Sequence, residues 1–436
     1  MATPTTASSL LGWWGPLALL VATVGAAFVP QPIYLHGLKY PYSNPDNLGG
    51  ARAWLKPVIS CTNPEHVAVL ESYEKHFDAD LQKEAWHYAD GISEADKRRY
   101  TFTRMMVTGS EGTVYEAVDR TTGKLVAIKK VTEVYKSIHG ASGQGLHMTA
   151  FQVWAEVKAL KLTKESPDIM RLNRFIMGKK TAYIVLEMLE TTVPPGQHVR
   201  SGDIATSLGA PTLQRRVFQF IRGVAFLHSA NLVHRDLRWH NVMLGDKCNV
   251  VIIDLGNVSP AQPMPRHALI SELPLGHEDR RSHQKDIWLA GATILSWIAG
   301  IEVHHLVNQA TLTAAGIVEV FGMPPPEVLS MYSKEIQGAF KAAKPKAASA
   351  MNWRKSFPSV DVQLFDLIKK MMSLDRKVGS AVELLKHPYL RELHAKEPLA
   401  KGPGDMSAAF KRAEAAILGD AGAARAYLNA EADSHA

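Results

Sequence analysis

The sequence predicts an α+β fold behind an N-terminal apolar helix, and three observations carry that reading. After Lys97 the chain runs in short β-branched stretches such as TGKLVAIKKV and AYIVLEML; beyond about residue 210 it changes to long helical periodicities; and residues 1 to 38 contain no Lys, Arg, Asp or Glu. A strand-rich block followed by a helix-rich block is the pattern of domains in which the two kinds of element segregate. The remaining composition is ordinary, with 436 residues, 46% hydrophobic and 21% charged, which excludes collagen-like, disulfide-rich and wholly disordered chains. A net charge of +7 is no polybasic signature and gives nucleic acid no support as a partner. The two cysteines, Cys61 and Cys248, have no metal-ligand spacing around them and suit a reducing compartment better than a disulfide framework.

Taken in order, the first element is LLGWWGPLALLVATVGAAFV, from Leu10 to Val29. As a helix these twenty residues rise roughly 30 Å, about one hydrocarbon core. Trp13, Trp14 and Tyr34 stand near the two ends, where aromatic side chains anchor a span at the membrane interface. A transmembrane anchor over residues 1–36 is the first expectation. A cleaved signal peptide is the second, weakened by the uncharged MATPTTASS before the apolar run, and a buried helix the third. If the segment spans, Lys39, Arg52 and Lys56 follow it, which places the rest of the chain in the cytosol; a cleaved leader would instead send it into the secretory pathway. Residues 37–96 read as a linker and a juxtamembrane helix. Asn63 caps that helix, Pro64 suits its first turn, and Val67, Leu70, Tyr73, Phe77 and Leu81 recur at helical spacing. Residues 97–391 hold the strand-rich and helix-rich blocks. Residues 392–436 form a tail rich in Ala and Gly, where Asp405 stands at the start of a helix reaching Leu418.

The chemistry sits in the middle block. Gly109-Ser110-Glu111-Gly112-Thr113-Val114 lies between two expected strands; glycines there let a hairpin backbone approach phosphates closely, although two glycines three apart more often mark only a turn. Val126-Ala127-Ile128-Lys129 follows, with Lys129 seventeen positions after Gly112; a lysine on an apolar strand is usually a solvated edge residue. His234-Arg235-Asp236-Leu237-Arg238-Trp239-His240-Asn241, then an apolar strand, then Asp254-Leu255-Gly256 complete the set. Phosphoryl transfer needs a carboxylate near the attacking hydroxyl and oxygen ligands for Mg²⁺, and Asp236, Asn241 and Asp254 are of those types.

In this order and spacing the residues resemble the signature set of the eukaryotic protein kinases, over roughly Arg99 to Leu390. The resemblance implies a two-lobed fold with ATP in the cleft. Val107, Gly109, Gly112 and Val114 would form the phosphate loop, and Ala127 would line the nucleotide site. Lys129 would hold the phosphates, paired with Glu156 of AEVKALKLT. Leu186 would be the gatekeeper, Glu187 and Leu189 would meet adenine through their backbone, and Met243 would be a further nucleotide-binding residue. Asp236 would orient the substrate hydroxyl, Arg238 would meet the γ-phosphate, and Asn241 and Asp254 would ligate Mg²⁺. Asp286-Ile287-Trp288-Leu289-Ala290-Gly291 looks like the helix that braces the catalytic loop. Within the kinases, HSANLVHRDL, IVEVFGMPPPEVL, WRKSFP, MMSLD and VAIKKVTEVY are similar to the mitogen-activated protein kinases.

The departures are specific. Val107 replaces the first glycine of the loop and Glu111 replaces its aromatic tip, putting a negative charge where phosphate should come. Arg238 stands for the usual lysine and Trp239 for proline, and GASGQG lengthens the path from Lys129 to Glu156. The activation segment, Asp254 to Asp286, has no Thr or Tyr, only Ser259, Ser271 and Ser282, and no clear Ala-Pro-Glu. Ala395 and Lys396 stand where the family carries docking aspartates. Other features have bland readings: His304-His305 is no metal site, Lys341, Lys344 and Lys346 are a solvated run, and Cys248 is a packed strand residue. The expectation is a serine/threonine kinase acting on protein substrates, and the alternative is a membrane-tethered pseudokinase serving as a nucleotide-binding or scaffold module.

Overall fold

The computed structural model describes residues 78–109, 111–139, 145–189, 191–192, 210–245, 249–262, 282–299, 314, 318, 323–330, 334–343, 360–373 and 378–433. The apolar run Leu10 to Val29, the helix start at Asn63, both cysteines, His304-His305, Lys344, Lys346, Ser271 and most of the activation segment lie outside them. Among the described residues no helix is long and apolar enough to cross a membrane.

The first described element is α1, Ala79–Ala85, capped by Asp78, whose carboxylate accepts from the Asp80 and Leu81 N–H groups. This corrects the expectation of one helix running through Leu81. Asp78 has extended backbone, φ −97° and ψ 103°, so a new helix begins there, with the aspartate satisfying two N–H groups that have no intrahelical partner. Helix α2, Glu94–Arg99, is capped in the same way by Ser93.

Strands β1 (Tyr100–Gly109), β2 (Gly112–Asp119) and β3 (Lys124–Val131) follow as a meander. A two-stranded ribbon, β4 (Ile138–His139) and β5 (Gly145–Leu146), leads into α3, Met148–Leu162. Strands β6 (Leu172–Met177) and β7 (Ala182–Glu187) complete a five-stranded antiparallel sheet in the order β1-β2-β3-β7-β6. Alternation along the strands sends Tyr115, Ala117, Val126, Ile128, Tyr183 and Val185 to the face away from the cleft, where they form a core with Phe102, Trp86 and Ala85. The residues assigned to a juxtamembrane helix, where described, are thus a cap on this sheet. The Tyr183 hydroxyl donates to the Ala85 carbonyl at 2.9 Å and the Lys130 ammonium to the Glu84 carbonyl at 2.8 Å.

Beyond β8 (Thr191–Thr192) the second lobe is built on α4, Ala210–Ser229. Around it come β9 (Leu232–Val233), β10 (Val242–Leu244), β11 (Val250–Ile252), β12 (Ser259–Pro260) and α5 (His283–Ala299). Helices α6 (Pro326–Leu329), α7 (Lys334–Ala342), α8 (Val362–Met371), α9 (Ala381–Leu384) and α10 (Arg391–Lys396) follow. Val217, Phe218, Phe220, Ile221, Val224 and Ala225 of α4 are fully buried, and the Phe220 ring lies 5.3 Å from Trp297 of α5. The arrangement is a two-lobed α+β fold.

The tail, α11 (Ser407–Gly419) and α12 (Ala421–Asp433), returns to the first lobe and packs on α3. Asp405 accepts from the Ser407 N–H at 2.8 Å at the start of α11. Phe410, Ala413, Ile417, Ala424 and Leu428 are fully buried.

Candidate active site

Lys129 sits on β3 opposite Val114 of β2 and Ile184 of β7. Because side chains alternate, Ile128 and Lys130 face the outer core and cap, while Ala127 and Lys129 face the cleft. The Lys129 ammonium is 2.9 Å from Glu156 Oε2, 3.4 Å from Asp254 Oδ1 and 3.4 Å from Glu111 Oε2. Burial alone would draw this lysine's pKa down, but Glu156, Asp254 and Glu111 together push it well up, so it is held as a cation. For Asp254, burial pulls upward and Lys129, His234 and the Gly256 N–H pull downward; the carboxyl ends below its ordinary range.

The β1–β2 hairpin stands over this cluster, with Val107 opposite Val114 and Gly109 opposite Gly112. Gly112 has φ +133°, and a Cβ there would strike the Lys130 carbonyl oxygen, so only glycine fits. Gly109 is under no such constraint: a Cβ there meets nothing within 4 Å. Val107 is 39% exposed.

The catalytic-loop residues span β9 to β10. Asp286, fully buried on α5, accepts from the His234 N–H at 2.6 Å and the Arg235 N–H at 2.8 Å, fixing a turn in which Arg235 takes the left-handed φ of 76°. Asn241 donates through Nδ2 to the Asp236 carbonyl and to Asp236 Oδ2, both at 2.9 Å. With the nitrogen so used, the amide oxygen, the ligating atom type, is left for another partner. The Ile253 N–H donates to the Asn241 carbonyl at 3.0 Å, which brings Asn241 beside Asp254. Arg238 Nη2 lies 3.2 Å from Asp236 Oδ2.

At the adenine end, Ala127 pairs with Leu186 and Val126 with Glu187. Leu186 and Leu189 are buried, Met243 is half-buried on β10, and Glu187 exchanges hydrogen bonds with the Arg171 backbone, donating N–H at 3.1 Å and accepting on Oε1 at 2.8 Å. A cavity of about 470 Å³ opens between the β1–β2 hairpin, α3 and the turn after α1; Glu111, Lys129, Glu156 and Gly256 line it. Ala127, Glu187, Leu189 and Met243 do not line it. The cavity therefore adjoins the phosphate end of the cleft.

The donor set fits a magnesium nucleotide: one buried cation for phosphate oxygens, and the Asn241 amide oxygen with an ionised Asp254 as hard ligands for a cation that keeps several of its waters. Three contacts were not read from the sequence: Glu111 on Lys129, Arg238 on Asp236, and the tail behind Glu156. The charge of Glu111 at the loop tip was a trace of the first, and the all-round apolar character of the Glu156 helix a trace of the third.

Against known proteins, the protein kinase domain family matches residues 100–390. The mitogen-activated protein kinase mpkC of Aspergillus clavatus is 30% identical over 321 residues, covering 71% of this chain and 79% of that protein. The mitogen-activated protein kinase sty1 of Schizosaccharomyces pombe is 28% identical over 320 residues, covering 71% of this chain and 86% of that protein. The chain belongs to the eukaryotic protein kinase family and is similar within it to the mitogen-activated protein kinases.

Proposed function

We propose that the chain is an active protein serine/threonine kinase in signalling, moving the γ-phosphoryl group of ATP to hydroxyls of protein substrates. The observation that carries the reading is the convergence in one cleft of the Lys129–Glu156 pair at 2.9 Å, Asp254 at 3.4 Å and the Asn241–Asp236 hydrogen bond at 2.9 Å. In it the substrate oxygen bonds to the γ-phosphorus, the bond from that phosphorus to the β–γ bridging oxygen breaks, and ADP leaves. Asp236 orients the hydroxyl and receives its proton; Asn241 holds the Asp236 carboxylate in place. Lys129 neutralises phosphate oxygens, and Glu156 fixes the ammonium so that no reorganisation is needed when the nucleotide arrives. Asn241 and Asp254 would hold Mg²⁺, which when bound supplies charge neutralisation along the phosphates. Arg238, within reach of Asp236, supplies a second cation for the transferring group. The charge-free stretch Leu10 to Val29 supports a membrane-tethered kinase with its catalytic domain on the cytosolic side; protease protection in microsomes tests that placement.

One observation favours a second reading, a pseudokinase scaffold: Glu111 and Arg238 take up the charges of Lys129 and Asp236 within the protein. The deciding experiment is phosphate transfer from Mg·ATP to a panel of protein substrates by wild type and Asp236→Ala. We expect a loss of at least 10³-fold in the variant. Equal signal from both proteins would refute catalysis at this site.

A further inference from the structure

We propose that Glu111 determines specificity within the nucleotide site: its carboxylate competes with the phosphate chain for Lys129, so the site discriminates little between an adenine nucleotide and the bare nucleoside. The inference rests on the nucleotide reading above and deepens it.

The loop tip is folded down. Glu111 Oε2 lies 3.4 Å from the Lys129 ammonium, and Oε1 lies 3.4 Å from the Asn257 amide nitrogen that donates to it. The same carboxylate crowds Gly256: a Cβ built there would stand 3.1 Å from Glu111 Oε2, 3.3 Å from Asp254 Oδ1 and 3.5 Å from Glu156 Oε2. Three carboxylates therefore gather on one ammonium, and the anionic position beside Lys129 is already filled by the protein. Phosphate oxygens reach Lys129 only if Glu111 withdraws, giving up two contacts, or stays and repels them. Glu156 and Asp254 cannot be the competitor, since they approach from α3 and from the turn after β11, beneath the hairpin. Glu111 comes from the hairpin itself, on the side where the phosphates enter. The effect falls on the phosphate chain alone, because adenosine makes no demand on Lys129.

The test is calorimetric titration of the full-length protein with adenosine, with ADP in EDTA and with Mg·ADP, for wild type, Glu111→Gln and Glu111→Ala. A unit charge within about 4 Å, discounted for the partial exposure of Glu111, predicts that both variants bind ADP about tenfold more tightly with or without Mg²⁺ while adenosine affinity changes less than twofold. Equal ADP affinity in all three proteins overturns the inference and leaves the nucleotide reading standing. Weaker Mg·ADP binding by the variants, with ADP in EDTA unchanged, overturns it too and makes Glu111 a metal ligand. If no protein binds adenosine or ADP, the nucleotide reading falls and the inference falls with it.

Discussion

Replacing Phe410 by alanine should undock the C-terminal hairpin from α3 and weaken the first lobe. The Phe410 ring is fully buried and meets Trp154 of α3 edge-on at 5.1 Å, while Tyr427 of α12 meets the same indole at 5.7 Å. Lys158 and Lys161 of α3 reach Glu431 at 3.1 and 2.8 Å, and the His147 N–H donates to the Leu418 carbonyl at 3.3 Å. Truncating a buried phenylalanine costs about 3–5 kcal/mol, of which the aromatic pair accounts for roughly 1. In a catalytic unit of this size that is a fall in Tm on the order of 5–10 °C. Trp154 and Glu156 are two positions apart, about 200° around the helix. The tail thus braces the outer side of the helix whose inner side carries Glu156 to Lys129. Amide hydrogen exchange should show α11 and α12 losing protection first and α3 next, and the KM for ATP should rise several-fold. A variant whose Tm stays within about 1 °C of wild type, or whose α11 amides remain protected, would refute the reasoning.

Two further outcomes are expected. Arg222 forks onto Asp168 at 2.5 and 2.9 Å, and the aspartate is fully buried; Asp168→Asn leaves the guanidinium with only Glu397, at 2.9 Å and partly exposed, as counter-charge and should lower stability in urea by about 2–3 kcal/mol. Burial, followed by the neighbouring His228, pushes the His283 imidazole down to about 4, so the unfolded chain takes up the proton first. That stability is present above the ordinary histidine pKa of about 6.5 and is lost as pH falls from there toward 4. Urea melts at pH 7 and pH 5 should differ by about 1 kcal/mol from this ring, allowing for its partial exposure, and His283→Gln should remove that difference; an unchanged slope would count against it.

How far each feature could be read in advance follows from how local its cause is. Gly112 is dictated by its own φ and the neighbouring Lys130 carbonyl, and the turn from His234 to Asn241 by hydrogen bonds within eight residues and one aspartate of α5, so fixed spacing announces both. Glu156 belongs to a helix that starts at Met148 whatever the length of the GASGQG insert, because the ribbon β4–β5 brackets the extra residues. The α1 cap was half visible: Leu81 lies in its apolar pattern, but Asp78 breaks the run expected from Asn63, and only the sheet's exposed aromatic face explains where it docks. The contact of Glu111 has no such local cause: it joins a loop tip to Lys129 on the third strand through folding of the cleft. Arg238 meets Asp236 two positions away inside the turn, but nothing in the spacing says that its side chain turns back to that carboxylate.

Helix α3 makes the same point from the opposite direction. Ala150, Phe151, Val153, Trp154, Ala155, Val157, Ala159 and Leu160 are all buried, and apolar residues stand on every side of it. A helix that is apolar all round must be covered all round. The sheet and the turn after β11 cover only the side that faces the cleft. The outer side therefore requires a second partner, and the Ala-rich tail meets that requirement: its small residues let α11 and α12 lie close, and Phe410 and Tyr427 reach across to Trp154. The absence of a polar face in AFQVWAEVKAL was the trace in the sequence that something else must pack there. Glu156, the one carboxylate in that buried stretch, keeps its place because Lys129 meets it on one side while the hairpin holds the helix from the other.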